Sequence, residues 1–437
     1  MTENIKPKEA ASIINSLVGG VVPHIGLQHI AVGRTEEINA VLPALNDVKS
    51  GLSMVKFWIG DFGSGKSFML HLITAVALKQ KFVVSNVDFT PTNRLYSNDG
   101  KAVALYASIM DNLSIQTRPE GNALPVLLEK WIEQVIAKTA EENRLSLTEI
   151  RSEQYTDLIR DSITKSISTI TEVGGFDFSE VIIKYYKGYI DGNDQLRRNA
   201  LKWLKGEYHS KLEARQDLGI REIISDLNYY DMLKNFCKLF VSMGYSGFMI
   251  NLDEMINLYK ISTSVMREKN YEKILTIYND CLQGKTSNMY FNFAGTKDVL
   301  DNPRRGMFAY EALKTRLELN KFENAKRRDF TQPVIRLMPL NHNEIFVLLQ
   351  KLSEIFNYNY GVNIGITADD ILRFMEEMFN KPGASEFLTP REVIRDFLNI
   401  LNIIRQNPSV DKDRLFKELK ISDERPDRNL FDSIEEL

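Results

Sequence analysis

The sequence predicts an α/β fold, a three-layer sandwich around a largely parallel sheet, with a helical insertion and a helical segment at its C-terminal side. Three observations carry that prediction. Five short β-branched or aromatic runs alternate with stretches of helical periodicity. One run leads into the glycine-rich stretch IGDFGSGKSFM, Ile59 to Met69. Another, GFMINLDE at Gly247 to Glu254, ends in adjacent carboxylates.

The first strand is Met54 to Ile59, and Phe68 to Leu78 reads as helix. Between them Gly60 to Ser67 fits G-x-x-x-x-G-K-[ST], a loop that cradles phosphate when strand precedes it and helix follows. Gly60, Gly63 and Gly65 let the backbone turn its N–H groups inward, and a helix starting near Lys66 adds its positive end to that nest. A triphosphate is the natural guest. Lys66 reaches its β and γ phosphates, Ser67 offers a hydroxyl to Mg²⁺, and Asp61, Phe62, Ser64 and Phe68 complete the binding stretch. The alternative is a glycine-rich turn carrying a surface lysine.

The second strand is Phe82 to Asp88. In the acidic strand, Phe248 to Leu252 is mostly apolar and interrupted by Asn251. Asp253 is placed to hold Mg²⁺ and Glu254 to act as general base on water, the alternative being a solvated acidic pair that opens a helix. After a helix at Tyr271 to Leu282, the run beginning at Asn288 ends in Gly295 and Thr296. A polar group there, Thr296 or else Asn292, senses a γ-phosphate if this strand lies between the loop strand and the acidic strand; the rival reading of Thr296 is a threonine in the turn after Gly295. Pro333 to Leu337 supplies the fifth strand.

About 150 residues separate the second strand from the acidic one, more than one crossover helix needs, so a helical insertion is expected at about 112–235. Its segments Ile182–Tyr189 and Arg197–Lys205 mix cations with aromatics. They read either as a surface that tracks DNA, through Lys184, Lys187, Arg197 and Arg198, or as an amphipathic pair with buried aromatics and solvated lysines. Helices at Asn343–Phe356, Ala368–Met378 and Pro390–Ile404 form a lid, in which Thr389 caps, Pro390 occupies the first turn and Arg391 either reaches a phosphate or shares an exposed helix face with Arg395, four residues on. Arg304 and Arg305, with Arg316 further on, are candidates to stabilise charge on a neighbouring subunit's γ-phosphate, surface ion pairing being the commoner fate. The division expected is an N-terminal helical segment and linker (1–53), a core (54–340), a lid (341–406) and an acidic tail (407–437).

A net charge of −3 gives no global attraction to nucleic acid or anionic membrane, so any basic surface is local. Cys237 and Cys281 lie in apolar helical runs and read as buried thiols. The first residues lack a signal-peptide pattern and no apolar run reaches membrane-span length, so a cytoplasmic protein is expected.

Longer phrases make the chain resemble the BREX-system ATP-binding family, the BrxD-type P-loop proteins of bacterial phage-defence islands. They are IINSLVGGVVPHIGLQHIAVGR (Ile13 to Arg34), GDFGSGKSF, LKWLKGEYHSKLEARQDLGI (Leu201 to Ile220), LDEMINLYK (Leu252 to Lys260), FAGTKDVLDNPRRGMFAYEALKTRL (Phe293 to Leu317) and LTPREVIRDFLNIL (Leu388 to Leu401). In FAGTKD the chain departs from many relatives, where a second glycine precedes the threonine. The resemblance implies a P-loop NTPase of AAA+ or STAND-like type, switched by ATP and Mg²⁺. It implies action beside a methyltransferase, a phosphatase-like protein and often a helicase, with DNA contact and ATP-dependent homo-oligomerisation as further expectations. It also makes Gly33 and Arg34, in VGRTEE, the linker that packs against adenine.

The expected function is therefore an ATPase that uses hydrolysis as a conformational switch. A non-hydrolysing ATP-dependent scaffold is its rival from another class, and a small-acceptor kinase is a third reading disfavoured by the paired acids and the helical lid.

Overall fold

The structure is a computed structural model and describes residues 5–170, 175–324, 327–380 and 389–418. The acid-rich tail expected from Asp423 lies outside the described residues, as does Leu388. The chain divides into two compact units. One comprises Asn39–Ile59 and Ile73–Arg336, the other Met1–Ile38, Gly60–Leu72 and Leu337–Leu437.

The first of these is α/β. Its sheet consists of β1 (Met54–Ile59), β2 (Val83–Asp88), β3 (Leu113–Ser114), β4 (Phe248–Asp253), β5 (Met289–Gly295) and β6 (Val334–Arg336). Their order is β3-β2-β4-β5-β1-β6. Every pairing is parallel except β2 with β3. The five expected strands are the parallel ones, so β5 does lie between β1 and β4. Parallel strands are covered on both faces, and β1, β4 and β5 are accordingly buried along almost their whole length.

Between β3 and β4 the chain is helical, at Leu124–Glu142, Thr156–Ser168, Gly175–Ile190, Asp194–Leu204 and Lys211–Leu218. The apolar side chains of these helices are continuous with the sheet's core and form no core of their own. Tyr185, Tyr186 and Trp203 are buried, and Trp203 Nε1 donates to the Glu222 carbonyl at 2.8 Å. Lys187 and Arg198 are exposed, and Arg197 pairs with Asp194 at 3.0 Å. This is the amphipathic pair of the sequence reading, with Tyr185, Tyr186 and Trp203 inside and Tyr189 exposed. Cys237 and Cys281 are free and buried, which pushes their thiols up to about 12 and about 11.

The other unit is built on helices Pro7–Val18, His342–Tyr360, Ala368–Phe379 and Pro390–Gln406, packed around Ile13, Leu349, Phe356, Phe374, Phe397 and Leu401. No described helix is long and apolar enough to cross a membrane.

Candidate nucleotide-binding site

The phosphate-type loop begins at Gly60, the residue after β1, and ends in the helix Lys66–Lys79. Each glycine has its own reason. Gly63 and Gly65 have φ of +78° and +84°, a region that side chains rarely enter. Gly60 has an ordinary φ, but a Cβ there would lie 2.4 Å from Ser64 Oγ and 2.8 Å from the Leu337 carbonyl oxygen. Ser64 N–H closes the turn on the Asp61 carbonyl at 3.1 Å, and Met69 N–H makes a helical bond to Gly65 at 2.9 Å. A helix N-terminus favours an anion placed before it. Lys66 Nζ donates to the carbonyls of Gly60 (3.0 Å) and Asp61 (2.9 Å), at 5.6 Å from the Phe62 ring. Asp61 and Phe62 are exposed, Ser67 is half-buried, and Phe68 packs against the helical core of its unit.

Arg34 is only 4% exposed, and its guanidinium Nη2 donates to the carbonyls of Ser64 (2.6 Å) and Met338 (2.9 Å). It holds the loop's backbone, a positioning role that the linker reading had not assigned. Gly33 has φ of +69°, and a Cβ there would meet the Glu344 carboxylate at 2.6 Å.

The same unit brings the lid helix to the loop. Thr389 caps the helix Pro390–Gln406, with Pro390 in its first turn, and forms a capping box in which Glu392 N–H donates to Thr389 Oγ1 (3.3 Å) and Thr389 N–H donates to Glu392 (2.8 Å). A Cβ on Gly63 would lie 2.9 Å from Thr389 Cβ. Arg391 is exposed, with no hydrogen-bond or ion-pair partner among the described residues.

In the α/β unit, Asp253 ends β4 and is 8% exposed. Its Oδ1 accepts from the N–H of Glu254 at 2.7 Å. Glu254 is exposed and has φ of +56°, uncommon for a residue with a side chain. Asp88, which the sequence reading passed over as a site residue, ends β2 in register with Asp253. Burial, and secondarily the neighbouring Asp253, hold its carboxyl above the ordinary aspartate value. A strand-end carboxylate, as in NLDE, is the signal that could have found it.

Thr296 follows β5, is 6% exposed, and its Oγ1 has no hydrogen-bond partner among the described residues. A buried hydroxyl without a partner is costly unless something else bonds to it. Asn292, the alternative sensor, lies inside β5 with its amide bonded on both sides, to Trp58 and Asn251. The two adjacent arginines part company. Arg305 bonds the carbonyls of Tyr259 (3.3 Å) and Ile261 (3.4 Å) and stacks over the Tyr259 ring. Arg304 is exposed, its guanidinium without a partner among the described residues. Arg316 is tied to Asn279 at 3.1 Å on the surface.

No curated protein matches the chain closely enough to be compared with it. The family described as "BREX system ATP-binding protein BrxC/D" matches over residues 5–420, and to this family the chain belongs.

Proposed function

We propose that the protein is a P-loop NTPase of AAA+ or STAND-like type that binds and hydrolyses Mg-ATP and uses the cycle as a conformational switch in a BREX phage-defence system. The observation that carries this is the loop itself: three glycines, each required by its backbone angle or its neighbours, leading into a helix N-terminus with Lys66 and Ser67. The order of the parallel strands supports it, because β5, with Thr296 at its end, separates β1 from β4.

Mg-ATP supplies the γ-phosphoryl group whose departure changes the charge held by the protein. Loop N–H groups and Lys66 hold phosphate, with Asp61, Phe62, Ser64 and Phe68 around them, and Gly33 and Arg34 on the linker side. Ser67 and Asp253 are the residues that would hold the metal. Glu254 takes the proton of the attacking water, and the Thr296 hydroxyl, without a partner among the described residues, binds a γ-phosphate oxygen. Arg391, at the start of the lid helix, reads the same phosphate, and exposed Arg304 serves a neighbouring subunit in an ATP-dependent homo-oligomer. Arg305 supports that segment. The methyltransferase, phosphatase-like protein and helicase of such systems are the partners, and DNA is reached directly or through them, in the cytoplasm. The domain limits we adopt are those of the sequence reading, 1–53, 54–340, 341–406 and 407–437.

Lys66→Ala tests the binding half of this reading. The variant should fold as the parent does and lose ATP affinity in calorimetry, with phage protection lost alongside. ATP binding at the parental level would remove the loop from the mechanism.

A further inference from the structure

A buried polar ladder crosses the sheet one layer beneath the strand ends. Trp58 Nε1–H on β1 donates to Asn292 Oδ1 on β5 at 2.9 Å, and Asn292 Nδ2 donates to Asn251 Oδ1 on β4 at 2.8 Å. Asn251 Nδ2 in turn donates to Asn86 Oδ1 on β2 (2.8 Å) and to Thr74 Oγ1 (2.9 Å), and Thr74 donates to Asn86 Oδ1 at 2.9 Å. Thr74 belongs to the helix that begins with Lys66 and Ser67. Asn86, Asn251 and Asn292 are in register across three adjacent strands. Trp58 and Asn292 are 0% exposed and Asn251 1%.

Apolar side chains would fill this layer without the desolvation that buried amides carry. A connected ladder instead fixes one arrangement, because a strand displaced by one residue would turn its amide to the other face. What lies above explains why the level matters. Two residues beyond Asn86 and Asn251 on the same face stand Asp88 and Asp253, β5 passes from Asn292 to Thr296, and β1 passes from Trp58 to Gly60.

We infer that Trp58, Asn292, Asn251, Asn86 and Thr74 form a positioning network that holds β1, β5, β4 and β2 in one register with the helix segment at Thr74, and so sets the level of the strand ends that carry Asp253 and Thr296. The inference rests on the nucleotide reading above. These residues touch no reacting atom; they act through those that do.

Thr74→Val removes the hydroxyl at nearly constant volume and cuts the ladder's link to the helix, and Thr74→Ser restores it. ATP affinity in Thr74→Val should stay within about threefold of the parent, while kcat falls about tenfold at unchanged KM and returns in Thr74→Ser. Parental kcat in Thr74→Val, with only a lowered melting temperature, would overturn the proposal. The indole Nε1–H of Trp58, followed by ¹⁵N NMR, reads the ladder without turnover. Its resonance should differ between ADP and a non-hydrolysable ATP analogue in the parent, and lose that difference in Thr74→Val. A parent that does not hydrolyse ATP yet shows the nucleotide-dependent indole shift would overturn hydrolysis and keep the network. A parent that hydrolyses ATP with an indole indifferent to nucleotide would overturn the network and keep hydrolysis.

Discussion

Gly63 and Thr389 leave no space between them: a Cβ on the glycine would lie 2.9 Å from the threonine's Cβ and 3.2 Å from its Cγ2. The glycine-rich loop is thereby seated on the cap of the helix Pro390–Gln406, and the conformation of one constrains the other. Gly63→Ala combines a backbone penalty at φ of +78° with this contact. It should destabilise the protein by about 1–3 kcal/mol and weaken ATP binding at least about tenfold. Thermal melts with and without ATP measure both effects. Unchanged melts would show that the loop and the lid helix move independently.

Arg304 and Arg305, adjacent in sequence, should separate in experiment. Arg305→Ala removes a guanidinium that bonds the Tyr259 and Ile261 carbonyls, so it should lower stability by about 1–3 kcal/mol. Arg304→Ala removes an exposed group and should leave stability unchanged while reducing turnover of the assembled protein. Denaturant melts and turnover at several protein concentrations distinguish them. Full activity in Arg304→Ala would return that residue to the surface.

Lys56 on β1 gives the clearest pH dependence. Its Nζ donates to the carbonyls of Phe330 (2.9 Å), Thr331 (3.0 Å) and Gln332 (2.6 Å). Burial lowers its pKa from 10.5 to about 8, against the opposing pull of Asp329. Between those values the folded protein binds fewer protons than the unfolded chain, so stability from this group rises with pH. Below about 8 the whole cost of the buried charge remains, on the order of 3 kcal/mol. Urea melts at pH 7.5 and pH 10, read as the difference between parent and Lys56→Met, should show the gain in the parent alone. Equal pH responses would mean that Lys56 titrates as an exposed lysine does.

The sequence was most legible where the determinants are local. β1 was placed to the residue because an apolar run rich in β-branched and aromatic residues, broken only by Lys56, lies between Ser53 and Gly60. The loop was legible for the same reason, since the demands on Gly60, Gly63 and Gly65 arise largely within the motif. β3 escaped because two residues on an antiparallel edge carry no periodicity. The long-range partners were not readable either. Arg34 holds the Ser64 carbonyl from thirty residues away, and Thr389 meets Gly63 across most of the chain. Asn251 read as an interruption in an apolar strand, and only the register of β2, β4 and β5 shows it bonded between Asn86 and Asn292.

The central claim is that hydrolysis, and not nucleotide binding alone, drives this protein, with Glu254 as the base. Single-turnover hydrolysis of Mg-ATP by Glu254→Gln, alongside calorimetry of ATP binding, tests it most directly. Glutamine keeps the size of the side chain and the hydrogen-bonding end but cannot take the proton. The account predicts ATP affinity within about threefold of the parent and hydrolysis slower by at least about a hundredfold. Equal hydrolysis rates in the variant and the parent would contradict it.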